Sequence, residues 1–149
     1  MIALNLPSYE YKVIKKEEKL FIFDDRRRKY VSLTPEEWVR QNFVNFLINH
    51  KYFPAGRIGN EVTVILNGMK KRADSVVYDQ LGVPFVIVEY KAPSVKITQE
   101  VFDQIVRYNM VMKVKYLIVT NGLSHYCCEI DYTKQSYIFL KEIPIFTDL

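Results

Sequence analysis

The sequence predicts an α/β domain, and three observations carry that expectation. Several short, β-branched apolar runs are bounded by turn residues, which is the pattern of strands. Two segments open with Thr and continue with apolar residues at helical spacing, which is the pattern of capped helices. Lys115-Tyr116-Leu117-Ile118-Val119-Thr120 is a continuous apolar run and predicts a central strand.

In chain order, residues 1–33 read as an N-terminal arm. Leu20-Phe21-Ile22-Phe23 and Tyr30-Val31-Ser32-Leu33 form a small hairpin there, turning at Asp24-Asp25. Thr34-Pro35-Glu36-Glu37 starts the first helix: Thr34 caps, Pro35 takes the first helical position and Glu37 completes a capping box. Trp38, Val39, Asn42, Phe43, Phe46 and Leu47 recur at helical spacing up to His50, and Pro54 and Gly56 end the stretch. Glu61-Val62-Thr63-Val64-Ile65-Leu66 is a strand stopped by the hairpin signal Asn67-Gly68. Two strands follow, Lys71-Arg72-Ala73-Asp74-Ser75-Val76-Val77-Tyr78 and Pro84-Phe85-Val86-Ile87-Val88-Glu89-Tyr90-Lys91, paired antiparallel across the turn between them. Thr98 opens the second helix, with Val101, Phe102, Ile105, Val106 and Tyr108 spaced for burial. The central strand comes next, then a turn at Asn121-Gly122. Strands at 124–130 and 136–140 close the chain, joined by a loop at 131–135. No repeat, low-complexity tract or linker interrupts residues 1–149. A single domain is therefore expected, with 1–33 as arm and 34–149 as core.

Composition is that of an ordinary globular protein: 149 residues, 49% apolar, 26% charged and 14% aromatic, with a formal net charge of +4. Basic residues cluster at Arg26-Arg27-Arg28-Lys29, at Lys70-Lys71-Arg72 and at Lys12, Lys15, Lys16 and Lys19. Each cluster is either a solvated face or a phosphate contact. Cys127 and Cys128 are neighbours, so on a strand they face opposite ways and do not pair. They lack the spacing of a structural zinc or iron–sulfur site. Free thiols, no signal-peptide pattern at Met1-Ile2-Ala3-Leu4 and no apolar run of membrane-spanning length set the expectation of a cytoplasmic protein without a membrane partner.

The chemistry gathers around Asp74 and Glu89. Side chains alternate along a strand, so Glu89 and Lys91 point the same way. A carboxylate from each of two paired strands supplies part of the oxygen shell that Mg²⁺ wants at roughly 2.0–2.1 Å, and the Tyr90 backbone carbonyl adds a further ligand. Such a cation polarises a phosphate and lowers the pKa of bound water, and Lys91 beside it orients that water or stabilises developing charge. Gln104 and Tyr108 lie four apart on one helix face, placed to fix water or a nucleic-acid backbone. Glu37 and Glu61 are candidates for a further carboxylate, each with a structural alternative as cap or strand start. His50 at a helix end and His125 at a strand start have no Ser or Cys partner pattern for nucleophilic catalysis. There is no P-loop.

The order helix, strand, strand with Asp, strand with Glu-x-Lys, helix with Gln-x-x-x-Tyr, strand resembles the PD-(D/E)XK nuclease superfamily. Residues 33–140 more closely resemble the N-terminal nuclease domain of type I restriction enzyme R subunits. The residues that carry this are Leu33-Thr34-Pro35-Glu36-Glu37-Trp38-Val39-Arg40-Gln41, Lys71-Arg72-Ala73-Asp74, Val88-Glu89-Tyr90-Lys91-Ala92-Pro93, residues 100–109 and Tyr116-Leu117-Ile118-Val119-Thr120-Asn121-Gly122. The resemblance implies a restriction-endonuclease-like core, with a mixed central sheet flanked by two main helices. It implies Mg²⁺ dependence, with Mn²⁺ as substitute, and DNA as substrate. It maps Asp74 and Glu89 to metal ligands, Lys91 to the catalytic lysine, Gln104 and Tyr108 to the helix motif, and Glu37 to the acidic position of the first helix. Ala73 stands where the superfamily name has proline. The family's motor domains have no counterpart in these residues, so a separately encoded motor or restriction-modification subunit is an expected partner. A homodimer is another. The functional expectation is a Mg²⁺-dependent DNA endonuclease; its alternative is a non-cleaving nucleic-acid-binding or docking module on the same fold.

Overall fold

A computed structural model describes residues 1–66 and 68–149. Asn67, half of the expected Asn67-Gly68 turn, lies outside the described residues.

The N-terminal arm holds a three-stranded antiparallel sheet rather than a two-stranded hairpin: β1 (Val13–Lys16), β2 (Lys19–Asp24) and β3 (Lys29–Ser32). β1 escaped the sequence reading because Val13-Ile14 is followed at once by two lysines, too short an apolar run to register. Its turn to β2 runs through Glu17 and Glu18, both at positive φ (52° and 66°), the backbone of a tight hairpin turn.

Helix α1 (Pro35–His50) starts as expected, with Thr34 Oγ1 accepting from the Glu37 amide at 3.0 Å. The capping box is not completed. The Glu37 carboxylate turns to Arg27, Arg40 and Gln41, because charge-assisted bonds to guanidinium outweigh one backbone amide. Thr34 N donates instead to Ser32 O at 3.1 Å. Val39, Phe43 and Leu47 form the buried stripe of α1, four residues apart.

The main sheet has six strands in the order β4 (Ile58–Leu66), β5 (Met69–Tyr78), β6 (Pro84–Tyr90), β7 (Tyr116–Thr120), β8 (His125–Asp131) and β9 (Ser136–Phe139). All neighbours are antiparallel except β6 and β7, which are parallel, with α2 (Gln99–Asn109) in the crossover. The protein is thus mixed α/β, with two main helices and a mixed sheet. Every residue of β7 is buried, so the expected central strand is central.

Each helix covers one face of the sheet. Val86, Val88, Tyr90 and Ile118 pack with Val39 and Phe43 of α1. Ile87, Leu117 and Val119 pack with Phe102, Ile105 and Val106 of α2. Cys127 belongs to the first cluster and Cys128 to the second, both free, with burial pushing each thiol up to about 12.

Residues before β1 strap the arm to this core. Trp38 Nε1 donates to Ile2 O at 2.9 Å and Asn5 N donates to Gly122 O at 2.8 Å. His125 bonds both Thr120 Oγ1 (2.7 Å) and Asn5 O (2.9 Å), and burial lowers its pKa below the usual imidazole value. Gly122 sits at φ +85° in the Asn121-Gly122 turn, where a Cβ would lie 2.7 Å from Leu4 Cδ2 and 3.2 Å from Val39 Cγ2. Gly122→Ala is therefore expected to destabilise the fold by about 1–3 kcal/mol, read from urea unfolding midpoints.

Candidate active site

Asp74 and Glu89 meet where two strands stop pairing. The β5–β6 ladder runs to Ser75 opposite Val88, and Asp74 and Glu89 are the next opposing residues beyond it. There the Asp74 carboxylate takes the place of a ladder acceptor: Tyr90 N donates to its Oδ2 at 3.0 Å. Lys91 N donates to Thr120 O at 2.9 Å, so the chain keeps its extended course one residue past β6. The alternation then brings Lys91 and Glu89 together, Nζ to Oε1 at 3.8 Å.

The backbone under this pair is pinned from the α1 side. Tyr90, between Glu89 and Lys91, buries its ring, and its hydroxyl lies 2.8 Å from Ser75 Oγ, which donates to Asn60 Oδ1 at 2.6 Å. This chain crosses β4, β5 and β6 one residue from both carboxylates. On the α2 side, buried Asn109 donates from Nδ2 to Glu89 Oε2 at 3.3 Å and to Ile105 O at 2.9 Å. Burial raises the Glu89 pKa above the usual carboxylate range and the Asp74 charge raises it further; Lys91, Asn109 and Lys71 oppose the shift without cancelling it. Two opposed, half-buried carboxylates offer oxygen donors of the kind a hard divalent cation takes. Among the described residues no three His, Cys, Asp or Glu side chains group as a metal cage. A cation at this pair would draw on Asp74, Glu89 and backbone oxygen, not on a cage of three such side chains.

Residues 35–144 match the family described as the type I restriction enzyme R protein N terminus. The chain belongs to that family. The fold is also similar to a fragment from Vibrio vulnificus YJ016 described as an HsdR subunit of a type I restriction enzyme, with a TM-score of 0.52 and 21% identity. That likeness covers 77% of this chain and 25% of the other, so the chain spans about a quarter of that structure's length. No curated protein matches the sequence.

In this R-protein N-terminal domain the remaining expected site residues divide. Glu37 lines the same cavity as Asp74, but its carboxylate is taken up by other side chains. It is 7% exposed and clasped by Arg40, itself 7% exposed, by Arg27 at 3.0 Å and by Gln41 at 2.8 Å. An accessory-ligand role is hard to reconcile with that clasp, since two guanidinium groups already neutralise the carboxylate. Tyr108, expected in the core, is 55% exposed. Its ring carries the Lys71 ammonium 3.3 Å from its centroid. Gln104 is also exposed on α2 and makes no hydrogen bond to the pair among the described residues.

An ionic relay that the sequence does not signal as a unit stands beside the site. Arg27 binds Asp24 and Glu37. Arg40 binds Glu37 and reaches Glu61 at 3.3 Å, and Glu61 is also held by Arg27 (3.2 Å) and Arg72 (3.3 Å). Burial would raise the Glu61 pKa, but Arg40, Arg27 and Arg72 outweigh it and hold the carboxyl below the usual range. Glu61 has φ +52° and is the one residue of β4 between Asn60 and Val62 with no ladder partner; Asp74 is the residue it skips. Ile58 and Val77 pack on the α1 side, whereas Val62 and Ala73 pack on the α2 side. Both strands therefore exchange faces at Glu61 and Asp74, a local strain of the kind found at functional sites. Glu37, Arg40, Glu61, Asp74 and Tyr90 line one cavity of about 150 Å³. No local motif announces such a relay, because its charges come from three strands, a helix and the turn that holds Arg27. Asn109 has no signal of its own beyond lying next to Tyr108, whereas Lys71 belongs to the basic cluster Lys70-Lys71-Arg72.

Arg40→Ala is expected to cost about 3 kcal/mol by leaving Glu37 buried without its closest partner, whereas Arg72→Ala, with a side chain 68% exposed, costs under about 1 kcal/mol; denaturant unfolding separates the two. Because Glu89 has a raised folded pKa, its ionisation opposes folding as pH rises from the unfolded carboxylate range through the folded value. Glu89→Gln should thus raise the metal-free thermal midpoint at pH 7, and this gain should vanish as the pH falls below the unfolded glutamate range.

Proposed function

We propose that this chain is a Mg²⁺-dependent DNA endonuclease domain with a PD-(D/E)XK core, hydrolysing phosphodiesters in a restriction context. The observation that carries the reading is the convergence of Asp74, Glu89 and Lys91 just past the end of the β5–β6 ladder. Asp74, Glu89 and the Tyr90 carbonyl would hold Mg²⁺, or Mn²⁺ in its place. Bound there, a divalent cation acidifies water and polarises the phosphoryl oxygens.

The chain's own residues supply the rest. Tyr90 N fixes one Asp74 oxygen, so the carboxylate is oriented before any ligand arrives. Asn109 and Lys91 take one Glu89 oxygen each and set its plane. The Lys91 ammonium, 3.8 Å from Glu89, would stabilise negative charge developing on a phosphoryl group held there. Gln104, exposed one turn before Tyr108 on α2, would steady water or strand backbone, and Tyr108 would add its ring. The exposed lysines and arginines of the N-terminal sheet and of β5 would guide the duplex through its phosphates, without reading bases.

Three features support this over a non-cleaving module. The family is named for a restriction enzyme subunit, Asp74 and Glu89 stand opposite each other at the end of the β5–β6 ladder, and Lys91 is within ion-pair reach of Glu89. Supercoiled plasmid incubated with purified protein and Mg²⁺ or Mn²⁺ is expected to be nicked or linearised. Asp74→Ala and Lys91→Ala should each lower the rate by about a hundredfold or more. Calorimetry should show Mn²⁺ binding lost in Asp74→Ala and kept in Lys91→Ala. Absence of cleavage by the wild type, or equal cleavage by the variants, defeats the proposal.

A further inference from the structure

Lys71 is an ammonium beside the carboxylate pair to which the catalytic reading gives no role. It sits on β5 opposite Val64, three residues before Asp74. Val62, Val64 and Ala73 around it pack on the α2 side of the sheet, and so does its own side chain, which meets Tyr108 in the last turn of α2. The distance from Nζ to the ring centroid, 3.3 Å, is well inside the roughly 6 Å over which a ring face attracts a cation.

The amine and the pair feel each other. Burial pulls the Lys71 pKa below the usual lysine range while Glu89 opposes that shift, and Glu89 in turn registers the Lys71 charge. Lys71 forms no ion pair among the described residues, whereas Lys91 lies 3.8 Å from Glu89 and Arg72 lies 3.3 Å from Glu61. It is thus a lysine held in place by an aromatic ring, with no carboxylate in ion-pair reach among the described residues, close enough to the Asp74–Glu89 pair to act on its charge. Asn109 follows Tyr108 directly and bonds Glu89, so the last turn of α2 links both residues to the pair.

We propose that Lys71 contacts a substrate phosphate adjacent to the one at Asp74 and Glu89. Tyr108 is the positioning residue that holds it there, through its ring and not its hydroxyl. An ammonium on a four-carbon stem is a point-charge ligand for a phosphodiester oxygen, and stacking on the ring limits the conformations it must lose on binding. This deepens the nuclease reading and rests on it for the identity of the anion.

The test is binding of a short DNA duplex, followed by fluorescence anisotropy across a salt series with Ca²⁺ in place of Mg²⁺. Lys71→Ala is expected to weaken binding roughly tenfold. It should also lower the slope of log affinity against log salt by about one, the signature of one lost phosphate contact. Lys71→Gln, which keeps most of the stem, should behave alike, and thermal midpoints verify that both variants fold. Tyr108→Ala should reproduce the slope of Lys71→Ala, with the double variant no weaker than either single one. Tyr108→Phe should keep the wild-type slope.

A wild-type slope in Lys71→Ala, additive losses in the double variant, or a wild type that does not bind duplex overturns the assignment. The nuclease reading fails on different grounds, when Asp74→Ala cuts plasmid as fast as the wild type. If Asp74→Ala is inactive while Lys71→Ala keeps its slope, only the Lys71 assignment falls.

Discussion

Two carboxylates forced together at the end of a strand ladder are the constraint around which the rest of the molecule is arranged. Like charges in a half-buried setting repel and lose hydration, and Glu89 bears that cost in its raised pKa. The fold holds them there by stiffness. Tyr90 and Ser75 tie the neighbouring backbone through buried hydroxyls, and Asn109 braces the pair from α2. β7 lies parallel along β6 and carries its course past Tyr90 to Lys91. A backbone so over-determined can keep an electrostatically unfavourable arrangement in readiness for a ligand.

The ionic relay performs the complementary task on the α1 side. Asp24 lies on the N-terminal sheet, Arg27 beyond it, Glu37 and Arg40 on α1, Glu61 on β4 and Arg72 on β5. Three acids and three bases alternate, so the relay stays close to neutral while its hydrogen bonds are strong. It fastens the small sheet to the edge of the large one at the point where β4 and β5 exchange faces. Arg26 adds backbone contacts to Ala55 and Ile58 at the entry to β4. Glu37 is the keystone of this relay, bonded to both Arg27 and Arg40.

Much of the fold was legible in the residues. Thr34-Pro35 and Thr98 begin helices where capping chemistry says they should. The apolar run at 116–120 is buried along its whole length, and the alternation at Glu89 and Lys91 brings their side chains together. Tyr108 was misjudged because helical spacing cannot distinguish a ring that fills a core from one that carries a cation beside it. The capping role given to Glu37 failed for a related reason. The motif is local, but the winning partners, Arg27 and Arg40, are set by how a separate sheet docks. β1 was invisible because two apolar residues are not a period.

The sequence by itself determined the element order, the helix starts and the residue types gathered in the Asp and Glu-x-Lys strands. These depend on spacing along the chain and on propensities that act over a few residues. Only the tertiary structure decided which charges meet. The Glu61–Asp74 face exchange, the six-residue relay and the seat of Lys71 on Tyr108 all join residues from different elements. Electrostatic pairing depends on distance and burial in space, and neither is written in the spacing of residues along a chain.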